Sequence, residues 1–147
     1  MYKLLPILLL LSTPVLSAET VRSLNIDTDR VTVSGISAGG QMAHQLHISY
    51  SDMFSGAGMI ASGPFGCANG SLATAMARCM GKTDNPIPVE DLVESINTAA
   101  KQGLVADTKN LADDPVWLFH GTLDTTVAAQ VNDAAQALYA EFIPAEQ

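Results

Sequence analysis

An α/β fold, a parallel sheet flanked by helices, is what the order of elements in this 147-residue sequence predicts. Two features carry that expectation. Short β-branched or wholly apolar runs recur along the chain, and each is followed by a stretch of helical periodicity. No internal repeat or low-complexity tract offers another architecture.

The first segment reads as a leader rather than as part of the fold. Lys3 supplies a positive charge, residues 4–16 are almost unbroken apolar, and Ser17-Ala18 place small residues ahead of Glu19. That order is a secretory signal peptide. The apolar run is too short for a membrane span, which needs about 20 residues. Residues 1–18 are therefore expected to be removed, and residues 19–147 to act in a secreted or periplasmic setting.

Residues 19–29 form a polar lead-in. Residues 30–34 alternate and are β-branched, which predicts a strand ending at Gly35. A helix is expected from Ala38 to about Tyr50, with Met42, Leu46 and Tyr50 on one face. Residues 56–62 are apolar and read as a second, buried strand that Gly63-Pro64 breaks. Residues 65–88 are irregular, with a short helix over 72–80. An acidic-fronted helix follows over 89–102, with Gly103 as its C-terminal cap. Residues 116–119 are a fully apolar third strand, and an Ala-rich helix over 127–142 comes last.

Composition narrows the functional classes. The chain has 7 basic and 15 acidic residues, a net charge of −8, and removing residues 1–18 makes the balance more negative still. An acidic surface without a basic cluster repels phosphate backbones, so no nucleic-acid partner is expected. Cys67 and Cys79 are the only cysteines. In an oxidising compartment such an isolated pair reads as a disulfide, two buried free thiols being the alternative. No Cys/His spacing suggests zinc, and neither metal nor cofactor is expected.

Two motifs carry the chemistry. Gly35-Ile36-Ser37-Ala38-Gly39 lies between a predicted strand and a predicted helix, the context of the nucleophile elbow of α/β-hydrolases. Ser37 is the candidate nucleophile. Gly35 and Gly39 are expected to let strand and helix approach, and the Ala38 N–H would be an oxyanion donor at the helix N-terminus. The second motif, Phe119-His120-Gly121-Thr122-Leu123-Asp124, sets a carboxylate just past the third strand, on the edge where catalytic groups of α/β sheets gather. Asp124 is the candidate triad acid that orients a histidine; capping of the following helix is its plainer alternative.

The histidines complete nothing. His44 and His47, at i and i+3 of one helix, resemble a metal pair without a third ligand and read as ordinary helix residues. His120 reads as a structural hydrogen-bonder at the strand end. The Ser, Asp, His order of α/β-hydrolases requires a histidine after Asp124, and none occurs through Gln147. Asn69-Gly70-Ser71 matches a glycosylation sequon but reads more simply as a turn.

Two blocks, running from Val33 through Ala68 and from Asn110 to Asp124, resemble secreted poly(3-hydroxybutyrate) depolymerases. The likeness covers roughly residues 30–135. It implies a circularly permuted α/β-hydrolase, here only in part, and ester hydrolysis through an acyl-enzyme on Ser37 with Asp124 as triad acid. It also implies a polyester or small ester substrate and a catalytic histidine supplied by a C-terminal fragment. Two alternatives stand beside it: a non-catalytic, polyester-binding relative, and an esterase for short-chain or aromatic-acid esters. The acyl pocket is expected to lie partly in residues 65–88.

Overall fold

The computed structural model describes residues 24–81 and 85–144, so the expected leader lies outside the described residues. Among the described residues, three strands, β1 (Val33–Ile36), β2 (Ala57–Ile60) and β3 (Val116–Phe119), form one sheet in the order β1-β2-β3. All pairs are parallel, and Ile36, Ile60 and Phe119 share one register row at the C-terminal end. The described residues also form four interleaved α-helices: α1 (Ala38–Ser49), α2 (Leu72–Arg78), α3 (Val89–Lys101) and α4 (Ala129–Ala140). Turns of 3-10 helix at Thr28–Arg30 and Thr108–Asp113 lead into β1 and β3.

The predicted elements are present, with their ends adjusted by pairing. β1 begins at Val33 rather than Arg30, which closes the 3-10 turn, and it runs on through Gly35-Ile36 because the ladder continues until the Ser37 N–H donates to the Ile60 carbonyl at 2.9 Å. Gly103 takes φ +70 after α3, with Gly103 N bonded to Ala100 O and Leu104 N to Ala99 O. That is the left-handed glycine stop read from the sequence. Asn69 and Gly70 are likewise left-handed, at φ 46 and 67, and make the expected turn ahead of α2.

One face of the sheet is packed. Val33, Met59, Val116 and Leu118 meet Ala43 and Ile48 of α1, Ile96 of α3, and Leu138 and Tyr139 of α4. The opposite face is open: Ile36 is 63 % exposed, Trp117 57 % and Phe119 51 %, with the two aromatic rings stacked at 5.7 Å. β3 is thus apolar on both sides but covered on one.

The buried face of α1 also differs from the expected stripe. Met42 and Tyr50 are exposed, while Gly40, Ala43, His44, His47 and Ile48 face inward. The helix starts hard against the strand it follows, so small residues must line its inner side. The histidines enter the core because hydrogen bonds await them there.

Those bonds build a polar chain inside the molecule. His47 Nδ1 lies 2.9 Å from the Tyr139 hydroxyl and Nε2 lies 3.1 Å from Asp114 Oδ2. With the Nε2 N–H donating to the carboxylate, Nδ1 accepts from the phenol, and a neutral imidazole satisfies every partner. Burial lowers the His47 pKa against the opposing pull of Asp114, in keeping with that neutral tautomer. His44 stacks on the Tyr139 ring at 4.3 Å and bonds the Gly63 carbonyl at 3.4 Å. Burial pushes its pKa down to about 3. Both rings lie in the core; both nitrogens of His47 are engaged there, while His44 Nε2 has no hydrogen-bond partner among the described residues.

Candidate active site

Ser37 is where strand becomes helix. Its backbone sits at φ 55, ψ −123, a conformation costing a non-glycine residue about 1–3 kcal/mol. Its neighbours impose it: the N–H is a rung to β2, and the carbonyl accepts the Gln41 N–H at 2.9 Å, opening α1. Its side chain makes no capping bond and the residue is exposed, which leaves Oγ clear of the sheet.

Glycine is required on the strand side of this turn. A Cβ on Gly35 would drive into the Gly39 carbonyl and come within 2.7 Å of Gly40 N. Gly39 was expected to share that role and does not, since nothing lies within 4 Å of a Cβ there. Gly40 takes it instead: a Cβ there would meet the Ser62 side chain at 2.7 Å. The close approach falls one residue later because position 40, not 39, faces inward as the helix turns.

Ala38 is the first residue of α1 and exposed. Its N–H belongs to the opening turn, whose donors have no partner within the helix and carry the positive end of the dipole.

Asp124 lies beyond the C-terminal end of β3. Because β1 and β3 run parallel on either side of β2, Ser37 and Asp124 share one edge of the sheet. Asp124 Oδ1 accepts from Thr126 N at 2.8 Å and Val127 N at 3.0 Å. These two bonds hold its carboxyl below the usual carboxylate range. Oδ2 stands 3.9 Å from His120 Nε2, which is itself 2.8 Å from the Val127 carbonyl and donates there. The loop bonds of Asp124 precede α4 rather than cap it, since α4 begins only at Ala129. Among the described residues no cluster of three or more His, Cys, Asp or Glu is arranged to hold a metal ion. No described helix is long and apolar enough to cross a membrane.

The irregular segment before α3 packs onto the elbow helix. Cys67 and Cys79 are joined in a disulfide with Cα atoms 6.0 Å apart, which disposes of the free-thiol alternative. Arg78 Nη2 donates to the Cys67 carbonyl at 2.9 Å, and Gln41 Nε2 to the Cys79 carbonyl at 3.3 Å. Between this segment, α1 and α3 opens a cleft of about 450 Å³ that Ala38 borders. Gln41 escaped the sequence reading, because nothing local marks a bond to a residue 38 positions away.

A parallel α/β sheet with a strained serine at a strand–helix turn defines a protein of the α/β-hydrolase type. The family model described as Esterase PHB depolymerase matches residues 12–145, and the chain belongs to that family. It is 46 % identical over 130 residues to a poly(3-hydroxybutyrate) depolymerase of Delftia acidovorans, covering 88 % of this chain and 26 % of that protein. It also resembles the crystal structure of a PHB depolymerase from Penicillium funiculosum, with a TM-score of 0.73 and 30 % identity over 82 % of this chain and 36 % of that one. A PHB depolymerase variant complexed with R3HB trimer superposes with a TM-score of 0.72 at 29 % identity, covering 81 % of this chain and 36 % of the other. The chain thus spans about a quarter to a third of the length of these relatives.

Proposed function

We propose that this chain carries the nucleophile and the acid of a secreted esterase that hydrolyses poly(3-hydroxybutyrate) or related 3-hydroxyalkanoate oligomers. The observation that carries the reading is the Ser37 backbone, held in a strained turn between a sheet rung and a helix opening with its hydroxyl presented to solvent. Ser37 Oγ attacks the ester carbonyl, and the Ala38 N–H helps hold the oxyanion. The alcohol leaves, and water then hydrolyses the acyl-enzyme.

The base comes from outside these residues. His44 and His47 are in the core and His120 is spent on the Val127 carbonyl. Asp124, ionised and fixed by backbone amides, is ready to orient an imidazole supplied by a further C-terminal segment. Relatives more than twice as long, and a neighbour described as complexed with R3HB trimer, support this reading of the base and of the polyester substrate.

A second reading rests on the same histidines: the chain by itself binds polyester without cleaving it. One experiment separates the two. The chain fused to the portion of the Delftia depolymerase that follows the matched region is assayed on 3-hydroxybutyrate oligomers, alongside its Ser37→Ala form. Hydrolysis that disappears with the serine supports the esterase. Binding without hydrolysis in the fusion leaves the second reading standing alone.

A further inference from the structure

Two carbonyls at the end of α2 tie the elbow helix to the loop that carries Asp124. α2 closes with the Cys79 N–H on the Ala75 carbonyl, and past that bond no helical donor reaches the carbonyls of Cys79 and Met80. Both are taken up by distant parts of the chain. Gln41 Nε2 donates to the Cys79 carbonyl at 3.3 Å, and the Ala128 N–H donates to the Met80 carbonyl at 2.7 Å. Gln41 is also the residue whose own N–H opens α1 on the Ser37 carbonyl. Ala128 caps α4 and directly follows Val127, whose N–H holds Asp124 Oδ1 and whose carbonyl accepts from His120. Adjacent residues thus reach toward Ser37 on one side and Asp124 on the other. Cys79 is fully buried, so its carbonyl has no water to turn to if the Gln41 bond is lost.

We propose that Gln41 is a positioning residue: through the end of α2 it sets where the Asp124 loop stands relative to the Ser37 elbow. The proposal rests on the esterase reading, in which Ser37 and Asp124 serve one reaction at a shared sheet edge. The ladder fixes the strands, but Asp124 lies past its last rung, Ala61 N–H to the Phe119 carbonyl, and needs a separate tether. One imidazole must meet both the serine hydroxyl and the carboxylate, and a misplacement of about 1 Å costs rate even when substrate still binds. Gln41 acts on these groups only through main-chain bonds. Its amide donor is the working part, since a side chain of equal length without one leaves the buried Cys79 carbonyl unpaired.

The test compares Gln41→Met, which keeps the length and removes the donor, with Gln41→Lys, which keeps both. In NMR spectra of the intact chain, Gln41→Met is expected to displace the amide signals of Thr126, Val127 and Ala128, and Gln41→Lys to leave them near their original places. The Asp124 carboxyl should titrate higher in Gln41→Met, as the amides that hold it down loosen, and not in Gln41→Lys. In the fusion with the Delftia continuation, Gln41→Met should lower kcat on 3-hydroxybutyrate oligomers about tenfold or more, with KM changed by less than about twofold. Gln41→Lys should recover most of that loss. Unmoved loop signals in Gln41→Met overturn the proposal, as do equal effects of the two variants, which would make Gln41 a packing residue. A displaced loop with unchanged kcat overturns it too, because the tether would not serve the reaction. If the fusion with Gln41 intact hydrolyses nothing while the loop still follows the Gln41 donor, the tether stands and the esterase reading falls.

Discussion

The Ser37 N–H donates to the Ile60 carbonyl at 2.9 Å, so the strained residue of the elbow is itself a rung of the sheet. The strain is sustained by long-range pairing rather than by the turn. The elbow is therefore as stable as the packing of β1, β2 and α1 around it, and its glycines can be tested separately.

Gly35→Ala is expected to cost at least about 3 kcal/mol, the upper end of ordinary overpacking, because the new methyl meets backbone on α1. Gly39→Ala should be neutral or stabilising by up to about 1 kcal/mol, since the space is open and alanine favours helix. Urea denaturation of the two variants side by side checks both. Equal losses would show that the close approach has been placed at the wrong residue.

Acid should unfold this chain through His44. Its folded pKa, about 3, lies below the unfolded value of 6.5, so between those values the unfolded chain binds more protons. Stability is then complete above about pH 6.5 and falls as pH drops through this window, by up to about 1.4 kcal/mol per pH unit. His47, lowered by the same burial, adds to the fall. Denaturation midpoints across the window should show this slope, and His44→Phe, which retains a ring against Tyr139, should flatten it. An unchanged slope in that variant would assign the acid response elsewhere.

Tyr139→Phe removes the hydroxyl that His47 Nδ1 accepts from and leaves that nitrogen buried without a donor. A loss of about 1–3 kcal/mol is expected, with the rings still stacked. Thermal melts read the loss. No change would mean that the chain of bonds from Tyr139 to Asp114 contributes nothing to the fold.

Opening the disulfide with Cys67→Ser plus Cys79→Ser should cost about 3 kcal/mol by loop entropy. It should also loosen the cleft wall, because the Gln41 and Arg78 bonds both end on the carbonyls of these cysteines. Hydrogen exchange of residues 65–80 is the readout: faster exchange confined to that segment is expected, and uniform exchange across the chain would contradict it.

The sequence showed most clearly what is local. β-branched alternation, the Gly103 stop, the Asn69-Gly70 turn and the elbow all depend on residues within a few positions of one another, and each is in place. It misled where distant neighbours decide. Met42 and Tyr50 look like the core of α1, yet the inner face holds Gly40 and two histidines, because Ser62, Gly63, Asp114 and Tyr139 wait there. Asp124 was legible as a carboxylate at a strand end, but the two amides that fix Oδ1 were not. The open face of β3 was equally hidden, since an apolar strand reads the same whether one side or both are covered.

The most direct measurement is mass spectrometry of the fusion with the Delftia continuation after treatment with a fluorophosphonate, which phosphonylates an activated serine. A single adduct on the tryptic peptide containing Ser37 is expected, blocked by prior incubation with R3HB oligomers and lost with Asp124→Ala. An adduct on any other residue, or ester turnover that persists while Ser37 stays unlabelled, would contradict Ser37 as the nucleophile.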